Sequence, residues 1–128
     1  MSHENVEIVR AFVEAAGRDP KEGSSYFADD LEFIRRHLDG PARGPAGFMS
    51  RVEELSSQFE TYNVRAERLE QVGELVVADL RREATTKRGP AVIEDRSSQI
   101  FTLHDGEIVR VESFSTFDEA LEAAGLRE

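Results

Sequence analysis

Ser97-Ser98-Gln99-Ile100-Phe101-Thr102-Leu103 runs into His104-Asp105-Gly106 and then into Glu107-Ile108-Val109-Arg110-Val111-Glu112-Ser113-Phe114. Two strand-like runs joined by Asp-Gly are the strongest short-range hairpin signal a sequence carries. Asp and Gly both accept the positive φ that a tight two-residue hairpin turn demands. Directly downstream, Asp118 to Ala124 reads as a short helix closed by Gly125.

Working back from the hairpin, Leu75 to Thr86 and Tyr62 to Val72 read as further strands, and the hairpin's own strands extend over Ala91 to Leu103 and Glu107 to Thr116. Gly73-Glu74 and Lys87-Arg88-Gly89-Pro90 separate them as turns. Leu31 to His37 reads as a first strand, followed by a loop over Gly40 to Pro45. The N-terminal part is helical. Ser2 is placed to cap a helix with Glu4 and Glu7 in its first turn, where the dipole favours acids. Val6, Val9, Phe12, Val13 and Ala16 recur at three- and four-residue spacing, and Gly17 with Asp19-Pro20 ends the pattern. A second helix is expected from Pro20 to Phe27, and a third from about Pro45 to Ser57 with Phe48, Val52 and Leu55 on one face. Helices first and strands later predict an α+β fold, helices packed on one face of a curved antiparallel sheet.

The composition narrows the function. At 128 residues the chain is expected to form a single domain over residues 1–128. A net charge of -10 opposes nucleic acid and anionic membrane as partners. Fourteen of the sixteen basic residues are arginine, so an interior positive charge would be a planar, permanently charged fork. Cysteine is absent, which excludes disulfides, thiolate metal sites and a cysteine nucleophile. No apolar run approaches the ~18 residues of a membrane span, and the N-terminus lacks the order of a secretion signal. A cytoplasmic location is the expectation. His3, His37 and His104 are too scattered to suggest a metal site, and no cofactor pattern is present.

The chain resembles a SnoaL-like member of the nuclear-transport-factor-2-like superfamily. The resemblance rests on Glu4-Asn5-Val6-Glu7-Ile8-Val9-Arg10, on Phe27-Ala28-Asp29-Asp30 before the first strand, and on Arg43-Gly44 before the third helix. Asp105-Gly106-Glu107-Ile108-Val109-Arg110 and Glu119-Ala120-Leu121-Glu122-Ala123-Ala124-Gly125-Leu126 complete it. It implies a cone of curved sheet plugged by three N-terminal helices and a short C-terminal one, with a pocket between them. Dimers are common in the family, so a homodimer is expected.

The same resemblance implies which residues face the pocket. These are Phe33 and Arg35 on the first strand; Val76, Ala78, Leu80 and Arg82 after Gly73; Ser97, Gln99 and Phe101; and Val111, Ser113 and Ser115. Each set alternates by two, as one face of a strand must. The family's catalytic carboxylates are missing at the matching positions. Where ketosteroid isomerases carry a base, a tyrosine and a protonated aspartate, this chain has Arg35, Ala11 and Gln99. Where limonene-epoxide-hydrolase-like members carry aspartate, arginine and aspartate, it has Arg82, Leu80 and Ser113. Ser113 also stands where SnoaL-type cyclases hold an acid.

Two readings of the pocket follow. In the first, Arg35 and Arg82 clamp a small anionic or polar ligand, helped by Ser97, Gln99 and Ser113 against a wall of Phe33, Phe101, Val76 and Leu80. In this reading the protein is a small-molecule-binding cavity protein, with isomerase, cyclase or hydrolase chemistry as the enzymatic option. His37 is then the only titrating base near the mouth and the candidate for proton transfer. In the second, Arg35 pairs with a nearby acid, Arg82 reaches water at the rim, and the domain is a non-catalytic sensor or interaction module. A one-residue slip would instead turn Arg81 and Glu83 inward. The opposite face carries Val77, Ile100 and Phe114 among Asp79, Thr102, Arg110 and Glu112, the pattern of a face that meets a second copy.

Overall fold

Val6, Val9, Phe12, Val13 and Ala15 are buried along one side of α1 (Glu4–Arg18), the side that the apolar spacing marks. Glu4 and Glu7 in the first turn and Arg18 in the last complement the helix dipole. The structure is a computed structural model and describes residues 4–18, 20–35, 42–44, 46–47, 59–87 and 92–127. His3, His37 and nearly all of the expected third helix lie outside the described residues.

The second helix, α2 (Pro20–Ser24), stops short of Phe27. Turn bonds from the Ser25 and Tyr26 amides to the Glu22 and Gly23 carbonyls end it, at 3.3 and 3.1 Å. The Ile108 amide then donates to the Tyr26 carbonyl at 2.9 Å, which draws the chain into the sheet before Leu31 is reached. The first strand is therefore β1 (Phe27–Arg35). It is followed by β2 (Ala42–Arg43), β3 (Phe59–Val72), β4 (Leu75–Thr86), β5 (Val92–His104) and β6 (Glu107–Phe114).

These strands form one curved, open sheet in the order β2-β1-β6-β5-β4-β3. The class is α+β, as expected, with one local difference: β1 pairs with β6 in parallel, and every other pairing is antiparallel. The expected hairpin is β5–β6, with Asp105 at φ 50° and Gly106 at φ 81°, the two positive angles of a type I′ turn.

Each face of the sheet has its own core. On the inner face, α1 packs across β3 and β4, and Phe12 meets Phe27, Phe101 and Tyr26 at centroid distances of 5.0, 5.7 and 6.4 Å. Asn5 Nδ2 donates to the Glu74 carbonyl at 3.4 Å and ties the start of α1 to the β3–β4 turn. On the outer face, the C-terminal helix α3 (Phe117–Arg127) lays Ala120 and Ala124 over Leu75, Val77, Ile100 and Phe114. Thr116 caps this helix, its Oγ1 accepting from the Glu119 amide at 3.1 Å.

Two expectations are corrected here. Val77, Ile100 and Phe114 are not an exposed apolar face, because α3 of the same chain covers them. Gly125 does not close α3: it keeps helical backbone and the helix runs on to Arg127. No helix among the described residues is long and apolar enough to cross a membrane.

Two glycine substitutions test the helix packing in opposite directions. A β-carbon at Gly125 meets nothing within 4 Å, so Gly125→Ala should stabilise the fold by about 0.5–1 kcal/mol. A β-carbon at Gly23 would lie 2.9 Å from the Ala16 β-carbon, so Gly23→Ala should destabilise by about 1–3 kcal/mol. Urea denaturation of both variants reads the sign. Equal effects would contradict the packing of α2 on α1.

Candidate functional site

Along each inner-facing strand the residues change from apolar to polar, on β5 and β6 in the row of Gln99 and Ser113 and on β4 two rows further on, at Arg82. β4 presents Val76, Ala78 and Leu80, then Arg82; β5 presents Leu103 and Phe101, then Gln99 and Ser97; β6 presents Ile108 and Val111, then Ser113. The strand register sets the residues in rows. Val76, Phe101, Val111 and Phe33 form one row across four strands. The next holds Ala78, Gln99, Ser113 and Arg35. Beyond it Leu80 pairs with Ser97, and beyond that Arg82 pairs with Asp95.

The apolar rows belong to the core. Phe101 has no exposed surface and packs on Phe12, and Leu80 is 3% exposed. Phe33 is half-buried against the same cluster. Phe101 therefore reads as the floor of the inner face, with its ring filled in from above by α1.

The polar rows are the more open part. Arg82, Ser97 and Ser113 are half-buried, whereas Gln99 is 5% exposed. Gln99 Nε2 donates to Ser113 Oγ at 3.3 Å, which satisfies a buried amide that would otherwise cost about 1–3 kcal/mol. Arg82 Nη1 donates to Ser97 Oγ. That bond turns the guanidinium back over the inner face, one row nearer to Gln99. Arg35 shares the Gln99 row through its backbone pairing with Ser113. The arrangement offers an amide, two hydroxyls and a fixed guanidinium donor, the set that recognises carboxylate and other oxygen-rich groups.

The neighbouring arginines are accounted for elsewhere. Arg81 lies on the outer face, 3.3 Å from Glu83 and 3.2 Å from Glu94, so the slipped register that would turn it inward is not adopted. Arg110 meets Glu32 at 3.4 Å and Glu112 at 3.0 Å, and Arg96 meets Glu67 at 2.9 Å. The outer face beyond α3 is thus a mesh of ion pairs. Among the described residues, no group of three or more His, Asp or Glu is placed to hold a metal ion.

The ladder brings one further acidic residue opposite β4. Asp95 stands one alternation step before Ser97, on the face that carries Ser97 and Gln99, and opposite Arg82 in the ladder. The same period of two that marks Ser97, Gln99 and Phe101 marks it in the sequence.

With this geometry in hand, the chain belongs to the SnoaL-like domain family, whose profile matches residues 9–111. No curated protein matches it. Among solved structures it is similar to TerC co-crystallized with polyporic acid, at 21% identity over 94% of this chain and 98% of that one, with a TM-score of 0.77. An NTF2-like protein of unknown function from Burkholderia pseudomallei K96243 is similar at 19% identity, over 95% of this chain and 97% of that one, TM-score 0.77. An LEH-like epoxide hydrolase from M. tuberculosis is similar at 18% identity, over 98% of this chain and 92% of that one, TM-score 0.73. At these identities the likeness is one of fold.

The division of the inner face makes a stability prediction. Phe101→Ala should cost about 3–5 kcal/mol, the range for a truncated core aromatic. Ser97→Ala, at the open end, should cost less than about 1.5 kcal/mol. Denaturant unfolding of the two variants measures the difference, and similar losses would contradict the division.

Proposed function

We propose that this SnoaL-like domain is a small-molecule-binding cavity protein whose polar end takes an anionic or strongly polar group. Phe33 and Leu80 supply the apolar wall, above the closed layer that holds Phe101. Arg35, Arg82, Ser97, Gln99 and Ser113 supply the polar contacts. The observation that carries this reading is the hydrogen bond from Arg82 to Ser97, which holds a half-buried guanidinium over the inner face. A ligand carboxylate there offsets the cost of desolvating the cation through paired, charge-assisted bonds. TerC, similar in fold, was co-crystallized with an acid, which supports the same use of the cone.

Turnover, where it occurs, is chemistry of the isomerase, cyclase or hydrolase kind without the usual carboxylate set. Arg82 and Arg35 orient the substrate and meet developing negative charge, and His37 is the proton-transfer candidate from the sequence. The second reading, a non-catalytic sensor or interaction domain, is favoured by Arg35, Arg82 and Ser113 occupying positions where the resemblance implies catalytic groups. The reading also includes a homodimer. Because α3 covers the apolar part of the outer face, the second copy would meet the ion-paired part around Arg81 and Arg96, and sedimentation equilibrium at low and high salt reads that association.

A thermal-shift screen tests the ligand class. The panel holds small carboxylates, phosphates, neutral terpenoids and aromatic polyketide-like acids, against the wild type and Arg82→Ala. A ligand at 100 times its Kd stabilises by about 2.7 kcal/mol, a rise of several degrees. Stabilisation confined to anions and lost in Arg82→Ala is the expected result. A flat response across the panel overturns the reading in favour of an interaction domain.

A further inference from the structure

The two hydroxyls of the polar rows each take a hydrogen bond from a nitrogen that can only donate. Arg82 Nη1 donates to Ser97 Oγ, and Gln99 Nε2 donates to Ser113 Oγ at 3.3 Å. A hydroxyl carries one hydrogen and two lone pairs, whereas a guanidinium and an amide NH2 accept nothing. The Ser97 and Ser113 hydrogens therefore cannot return to the groups that bond them. Among the described residues no other group bonds either hydroxyl, and both serines are half-buried rather than closed. Each serine is left with an O–H donor to offer.

The spacing of the two donors is set by the ladder. Ser113 stands opposite Gln99, and Ser97 lies two residues before Gln99, so the serines are diagonal neighbours on one face. Diagonal neighbours are about 7–8 Å apart. Ser97 also takes its bond from β4, the strand away from Ser113. Two O–H···O bonds of about 2.7 Å to one acceptor atom would need the hydroxyls within about 5 Å of each other. The pair is spaced instead for two acceptor atoms on one ligand group.

We propose that Ser97 and Ser113 form a paired O–H donor site for one carboxylate, each hydroxyl taking one of its two oxygens, and that Arg82 acts partly through Ser97. This inference rests on the anion reading of the site and narrows it to ligands that end in a planar, two-oxygen acceptor. The N–H behind each hydroxyl polarises its O–H and strengthens it as a donor, more so at Ser97, where that N–H is cationic. Leu80, 3% exposed, lies opposite Ser97, and Ala78, with no exposed surface, lies opposite Gln99, so both rows are apolar on their β4 side. A carboxylate accepts both hydrogens, a carboxamide held in the same place accepts one, and an ammonium accepts neither.

Benzoate and benzamide test the pair, since they share a shape and differ in one acceptor oxygen. Their Kd values are measured by NMR titration for the wild type, Ser97→Ala, Ser113→Ala, Ser97→Thr, Arg82→Ala and the double variant Arg82→Ala/Ser97→Ala. Each serine-to-alanine change should weaken benzoate on the order of tenfold, as loss of a hydrogen bond to a charged group does. Ser97→Thr keeps the hydroxyl and should bind benzoate as the wild type does. Benzamide should bind more weakly, and only one of the two alanine changes should weaken it further. In the double variant the benzoate loss should fall short of the product of the two single losses, because part of the Arg82 effect passes through Ser97. The serine variants remove one oxygen each, so the test of the pair stands apart from any effect of Arg82→Ala on folding.

A benzoate Kd that moves in only one serine variant, or in neither, overturns the pair and leaves the anion reading standing. So does a benzamide Kd that both alanine changes weaken as much as they weaken benzoate. Equal losses in Ser97→Thr and Ser97→Ala assign the effect to packing and overturn the role of the hydroxyl. Single losses that multiply in the double variant overturn the relay from Arg82. Absence of benzoate binding by the wild type overturns the anion reading itself, and this inference with it.

Discussion

The ring of Phe12 is the contact around which the inner face is organised. It touches Tyr26 and Phe27 from one segment of the chain and Phe101 from another, and so fixes α1 across the sheet at one level. Everything on the inner face is then defined by its distance from that plug. Rows beside it are apolar and closed; rows beyond it are polar and half-open. A ligand site on this sheet can only lie in the second group, because Phe101 and Val76 have no surface left to offer.

The two faces of the sheet use arginine in different ways. On the outer face Arg81, Arg96 and Arg110 each stand within 3.4 Å of one or more glutamates, so their charge is balanced within the chain. The more exposed of these pairs, such as Arg96 with Glu67, contribute little to stability, and the larger effect of the set is to fix which arginines remain for other tasks. On the inner face Arg82 is held by a serine hydroxyl, a neutral acceptor that orients the guanidinium without cancelling its charge. Adjacent residues in the sequence, Arg81 and Arg82, thereby have separate roles. The alternation of the strand is the whole cause of the difference.

Much of this was legible in the sequence. The Asp105-Gly106 turn, the apolar stripe of α1 and the alternation on β4 to β6 are local signals, and the structure carries them nearly residue for residue. What the chain did not reveal depends on partners distant in sequence. Ala28-Asp29-Asp30 is poor strand sequence, and it lies in β1 because Phe27 pairs with Ile108, far along the chain. Gly125 looks like a helix terminus, yet packing of Ala120 and Ala124 on the sheet outweighs its low helical propensity. Alternation also tells which face Val77 and Ile100 occupy but not what covers them, and α3 supplies that cover.

The central claim is that the polar rows of the inner face, and not the arginine-rich outer face, are where this protein meets an anion. The most direct measurement is side-chain NMR of the arginine Nε–Hε groups during titration with benzoate. The account predicts a saturable shift of the Arg82 resonance while Arg81, Arg96 and Arg110 stay in place. Movement of the outer-face arginines with Arg82 unchanged would contradict it.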